Sequence, residues 1–189
     1  TFRASSLAYM GEMDQADAGF AQALELAPES DHVYAIAAVT YLDNYDPERA
    51  LSFVEQAIGL RPDDFAGRYV TRGHAYSDLG DDEAALASYS QALVLEPGMF
   101  DALLGQANAN LNLGDFAAGL DAINQALEQY PNSVSALNTR GRLYLNSDED
   151  DLAEADFARA LELNSEAVGA LIGLGDIAFN RDDYKTAIG

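Results

Sequence analysis

The sequence predicts an all-α solenoid of stacked helix-turn-helix units. Two observations carry this: a phrase that returns at a nearly constant interval, and two punctuation points inside each interval. Ala23-Leu24-Glu25-Leu26-Ala27-Pro28 returns as Ala57-Ile58-Gly59-Leu60-Arg61-Pro62 and Ala92-Leu93-Val94-Leu95-Glu96-Pro97. It returns twice more, as Ala126-Leu127-Glu128-Gln129-Tyr130-Pro131 and Ala160-Leu161-Glu162-Leu163-Asn164-Ser165. The leading alanines lie 34, 35, 34 and 34 residues apart, a 34-residue period with one residue inserted near Asp63–Phe65. A second phrase, Gly11-Glu12, Gly80-Asp81 and Gly114-Asp115, marks the middle of the period, with Asp148-Glu149 and Asp182-Asp183 in phase. A unit this short cannot bury its apolar face alone, so neighbours must stack.

Each period reads as two helices, because the stretches between the marks carry apolar residues at i, i+3, i+4 and i+7. The Gly of the second phrase suits the position just past a helix, where positive φ is needed. The acid after it suits an N-cap, and Asp46-Pro47 is a cap followed by proline in the first turn. First helices are expected at 32–43, 66–79, 100–113, 134–146 and 168–180. Second helices are expected at 14–27, 47–60, 82–95, 116–130 and 150–163, with another starting near Asp183. Residues 1–10 read as the end of an earlier first helix.

Three positions per period are small throughout. They are Ala4, Ala38, Gly73, Ala107, Gly141 and Gly175 in the first helix, and Ala16, Ala50, Ala85, Gly119, Ala153 and Ala187 early in the second. Late in the second they are Ala23, Ala57, Ala92, Ala126 and Ala160. Ala and Gly make up about a quarter of the chain, yet all seventeen sites are small. Bulky residues recur opposite them: Phe20, Val54, Tyr89, Ile123 and Phe157, with Leu7, Tyr41, Tyr76 and Tyr144 in the first helices. In these residues the whole chain resembles the tetratricopeptide repeat family. Asn110, Asp150 and Ser165 depart from the family's usual residues.

The resemblance implies a right-handed superhelical solenoid forming a single array over 1–189. Residues 1–30 would be a partial repeat, 31–65, 66–99, 100–133 and 134–167 full repeats, and 168–189 a truncated one. It also implies a concave wall made mainly by the first helices. The wall residues expected to hold a partner are Val39, Val70, His74, Leu104, Asn108, Asn138, Arg142 and Asp176, with Ala35 and Ile172 beside them. The Lys-Asn-Arg clamp of the family's chaperone-binding members is essentially absent, since Asn108 and Arg142 stand alone and the one lysine is Lys185. The asparagine ladder of its glycosyltransferase-linked members is missing too, its sites reading Ile36, Thr71, Gly105, Thr139 and Gly173.

Composition narrows the partners. With 32 acidic residues against 10 basic the formal charge is −22, which disfavours nucleic acid, because binding it means neutralising phosphates with Lys and Arg. An anionic membrane surface is disfavoured for the same reason. The longest apolar run, Val33 to Val39, has seven residues, far short of the ~18 of a spanning helix. Sixteen of the acids fall between paired helices. They read as caps and solubilising charges, or as an electrostatic guide for a basic partner.

No motif points to chemistry. There is no cysteine, and His32 and His74 lie far apart without metal-ligand spacing. Gly173-Leu174-Gly175-Asp176-Ile177-Ala178 matches a dinucleotide fingerprint, but that motif works only between a strand and a helix. Asp148-Glu149-Asp150-Asp151 lacks the alternation and mid-loop Gly of a calcium loop. The expectation is a scaffold without catalysis or cofactor that binds a protein or peptide in its groove. The alternatives are an assembly module contacting its own copies, or a regulatory arm of a larger enzyme. The chain starts at Thr1 without a signal-like segment and stops a few residues into a second helix. A longer parent, or self-association through exposed terminal repeats, is therefore expected.

Overall fold

A computed structural model describes residues 2–62 and 65–181. Every regular element among them is an α-helix, and the chain divides into two compact units, Thr1–Pro97 and Gly98–Gly189. The first unit holds α1 (Phe2–Tyr9), α2 (Met13–Leu26), α3 (Asp31–Asp43), α4 (Pro47–Leu60), α5 (Ala66–Asp78) and α6 (Asp82–Leu95). The second holds α7 (Phe100–Leu113), α8 (Phe116–Gln129), α9 (Val134–Asn146), α10 (Asp150–Leu163) and α11 (Val168–Asn180). The expected helix ends hold to within a residue. The further helix near Asp183, together with Lys185 and Ala187, lies outside the described residues.

The helices stop and start where local chemistry dictates. Gly11, Gly80 and Gly114 adopt φ of 80°, 79° and 79° in the turn between paired helices. Tyr45 and Asp148 hold the same left-handed position with φ of 58° and 60°, although a side chain there is unfavourable. The side chains of Asp46, Asp81 and Asp115 accept bonds from the amides of Arg49, Ala84 and Ala118. Three of the acids between paired helices are thus N-caps, each satisfying a donor the helix leaves unpaired.

In the first unit the pairs α1–α2, α3–α4 and α5–α6 each pack together, and α1, α3 and α5 lie side by side. Phe20, Tyr41 and Phe53 form a chain of rings, with centroids 5.9 and 5.1 Å apart. Arg49 lies 4.4 Å over Tyr41 and pairs with Asp17, which accepts the Tyr41 hydroxyl at 2.7 Å. In the second unit α7–α8 and α9–α10 are paired, and α9 touches both α7 and α11. Phe157 is wedged between two glycines: a Cβ on Gly141 would lie 2.6 Å from its ring, and one on Gly173 2.3 Å. Gly173 thus meets the preceding second helix, while Gly175 has nothing within 4 Å of its Cβ position. Small against large is the interlock read from the sequence, and it buries Ala16, Ala50, Ala85, Ala126 and Ala160 completely.

Candidate functional site

The candidate residues fall in both units. On the first, Val39 is 44% exposed and His74 is exposed, its ring 5.7 Å from Tyr89 and edge-on. Val70 corrects the expectation of an accessible wall, because its side chain is only 6% exposed. A first helix set beside another first helix covers the base of its inner stripe, and a short valine does not reach past that cover.

On the second unit, Leu104, Asn108 and Asn138 are half-buried, while Arg142 and Asp176 are exposed. Thr139 donates to the Asn108 Oδ1 at 3.2 Å, tying α7 to α9. The Asn138 amide packs against the backbone of Gly169, and its Oδ1 is buried without a partner. No carboxylate among the described residues, Asp176 included, pairs with Arg142.

A cleft of about 590 Å³ lies on the first unit, over its three first helices. Its floor is Ala35, Ile36 and Val39 of α3. Tyr9 of α1 and Phe65, just before α5, flank it as rings 68% and 63% exposed. The Tyr9 hydroxyl donates to the Asp43 carboxylate at the end of α3, which pushes the phenol above its usual range. At the other end, the buried Arg68 donates to Asp31 and to the carbonyls of Arg61 and Ala57. Those carbonyls lie at the end of α4, where a cation is favoured, and the Ala57 carbonyl also accepts the Arg61 amide at 3.2 Å.

Sequence reasoning anticipated Ala35 and Val39 here and missed Tyr9, Phe65 and Arg68. A ring beside a helix end carries no signal in a 3.6-residue period. It also missed Arg140, whose Nε and Nη2 both reach Asp156 at 2.7 Å. That pairing holds the arginine's charge, raising its pKa.

Other motifs resolve as local structure. The Gly173–Ala178 fingerprint lies inside α11 with no strand before it. Asp150, Asp151 and Glu154 meet Arg181 across α10 and α11. Among the described residues no cluster of three or more acids and histidines is arranged to hold a metal, and no helix is long and apolar enough to cross a membrane.

The sequence profile of the tetratricopeptide repeat matches residues 70–134 and 138–189, well over half of the chain. No curated protein sequence matches it. Among solved structures, PilW, described as a widely conserved type IV pilus biogenesis factor, is similar with a TM-score of 0.87 at 19% identity, over 100% of this chain and 87% of that one. MamA from Desulfovibrio magneticus RS-1 (41 to the end) gives 0.74 at 22% identity, over 84% of this chain and 89% of its own. YrrB, described as a TPR protein with an unusual peptide-binding site, gives 0.72 at 21% identity, over 89% and 86%. At these identities the likeness is one of fold. Repeat spacing, small-to-large packing and profile agree: the chain belongs to the tetratricopeptide repeat family, whose members serve generally as protein-interaction scaffolds.

Proposed function

We propose that this protein is a non-catalytic scaffold that holds a segment of a partner protein against the faces of its first helices. The 34-residue spacing runs on past Pro97, from Ala92 to Ala126, which supports reading both units as one continuous array. The observation that carries the binding reading is Arg142, an exposed cation without an ion-pair partner among the described residues, on the same helix as Asn138. Its fork suits a partner carboxylate in two hydrogen bonds, and the half-buried Asn108 can donate its amide N–H to a peptide carbonyl while its Oδ1 stays with Thr139. Acids between the paired helices would speed association with basic flanks and make it salt-dependent.

The test is affinity enrichment of partners on the immobilised chain, followed by titration of the partner recovered. Arg142→Ala is expected to weaken binding by about tenfold or more, as loss of a central Arg contact does. Unchanged affinity in both Arg142→Ala and Asn108→Ala would move the site off this surface.

A second reading is self-association. It is favoured by α11, where Val168, Leu171 and Ile172 are 65%, 51% and 59% exposed. Sedimentation velocity decides it: oligomers that dissociate in Ile172→Asp support it, and monomers at high concentration end it.

A further inference from the structure

The cleft over α3 differs at its two ends, and the difference specifies a ligand. Its floor is aliphatic and made by one helix, with Asp31 at the start and Asp43 at the end. These residues are twelve apart, about 18 Å along the axis, which an extended segment of about five or six residues spans. Alternate side chains of such a segment point the same way, so two or three could lie over Ala35, Ile36 and Val39.

At the Asp43 end three features favour a cation. The Tyr9 ring is 68% exposed and can take a Lys or Arg over its face. The Asp43 carboxylate is exposed and holds only the Tyr9 hydroxyl among its described partners. The carbonyl end of α3 adds partial negative charge. At the Asp31 end Arg68, the one arginine or lysine among the described lining residues, is 8% exposed and already engaged by Asp31 and two carbonyls. That end presents the Phe65 ring and the exposed His32 imidazole, and the Asp31 carboxylate on the same first turn of α3 opposes an anion there. Residues 1–97 as a whole carry 17 acidic against 5 basic side chains, so an acidic ligand is repelled at long range as well.

We infer that the α3 cleft holds an extended partner segment whose aliphatic side chains cover Ala35, Ile36 and Val39 and whose Lys or Arg sits at the Tyr9–Asp43 end. The inference rests on the scaffold reading above and adds to it a second, chemically distinct contact.

The experiment selects phage-displayed random hexapeptides on the full chain, and in parallel on Val39→Asp and Arg142→Ala variants confirmed helical by circular dichroism. Val39 is 44% exposed, so an aspartate there is tolerated by the fold while placing a charge on the cleft floor. Hexapeptides enriched on the parent and lost on Val39→Asp are expected to carry aliphatic residues at alternate positions and Lys or Arg at one end. Fluorescence anisotropy with synthetic copies should show a loss of about tenfold or more in Val39→Asp, since a bare carboxylate against apolar side chains is costly. Asp43→Asn should lose about fivefold at low ionic strength and less at high salt. A Val39-dependent set ending in acids, or none, overturns the inference. A set lost only on Arg142→Ala overturns it while sustaining the scaffold reading; sets lost on neither variant overturn both.

Discussion

Arg72 and Arg140 occupy the same position of two repeats, one in each unit, and each reaches sixteen residues ahead to the following helix. What they find there differs. Arg72 donates to the Ser88 hydroxyl at 3.0 Å and lies 5.0 Å over the Tyr69 ring. Arg140 holds both oxygens of Asp156 and also donates to Asn124 at 3.0 Å. Ser88 is satisfied without its arginine, because its hydroxyl donates to the Ala84 carbonyl of its own helix. Asp156, 6% exposed, has no such local outlet for its charge. One backbone relationship thus supports a dispensable contact in the first unit and an obligatory one in the second.

The largest expected effect breaks that comparison or confirms it. Arg140→Ala should cost about 3 kcal/mol or more, the usual consequence of stranding a buried carboxylate. Arg72→Ala should cost about 1 kcal/mol, the worth of an ordinary hydrogen bond. Urea unfolding of the full-length variants measures both, and equal losses would show that the Asp156 charge is solvated. Next come the glycines at the first-helix crossings. A Cβ at Gly73 would sit 2.4 Å from the Tyr89 ring and one at Gly141 2.6 Å from Phe157, so alanine at either should destabilise by about 1–3 kcal/mol. Gly59→Ala is the control: it lies in α4 with nothing within 4 Å of its Cβ position and should gain about 0.5–1 kcal/mol. Similar losses at Gly73 and Gly141 would place the units' difference in polar contacts and not in packing.

Smaller shifts are expected at the left-handed turn positions. Tyr45 is 93% exposed at φ 58°, so Tyr45→Gly loses little contact and should stabilise by about 1 kcal/mol. Asp148→Gly in the second unit should gain less, because Asp tolerates that conformation better than Tyr. Thermal midpoints compare the two; a larger gain at Asp148 would contradict the strain assigned to Tyr45. The last effect is confined to alkali. Burial first, then the Asp17 carboxylate, push Tyr41 up to about 12, and burial raises Tyr89 as well. The folded state then holds protons that the unfolded chain releases from about pH 10, so stability should fall as pH rises from 10 towards 12. Tyr41→Phe should flatten that slope, and an unaltered slope would remove Tyr41 as its source.

The helix pattern was legible because each end is decided within a few residues. A capping Asp, a following Pro or a Gly with positive φ acts on its own backbone whatever lies beyond. The small and bulky positions were legible for a related reason, since a repeat meets its neighbour in the same way every time and writes the requirement once per period. Even there the sequence placed Val70 on an accessible wall, because periodicity assigns a face and says nothing of how deep a short side chain sits on it.

The contacts that give each unit its character were decided only in three dimensions. Arg68 finds Asp31 across 37 residues, and Arg140 finds Asp156 across sixteen. Tyr9 and Phe65 come to flank α3 although neither belongs to it. A 34-residue period specifies which backbone surfaces approach. Which long side chain crosses the gap, and whether it meets a hydroxyl, a carboxylate or open solvent, depends on single residues that vary from one repeat to the next. Reach, rotamer and desolvation at the assembled surface settle those choices.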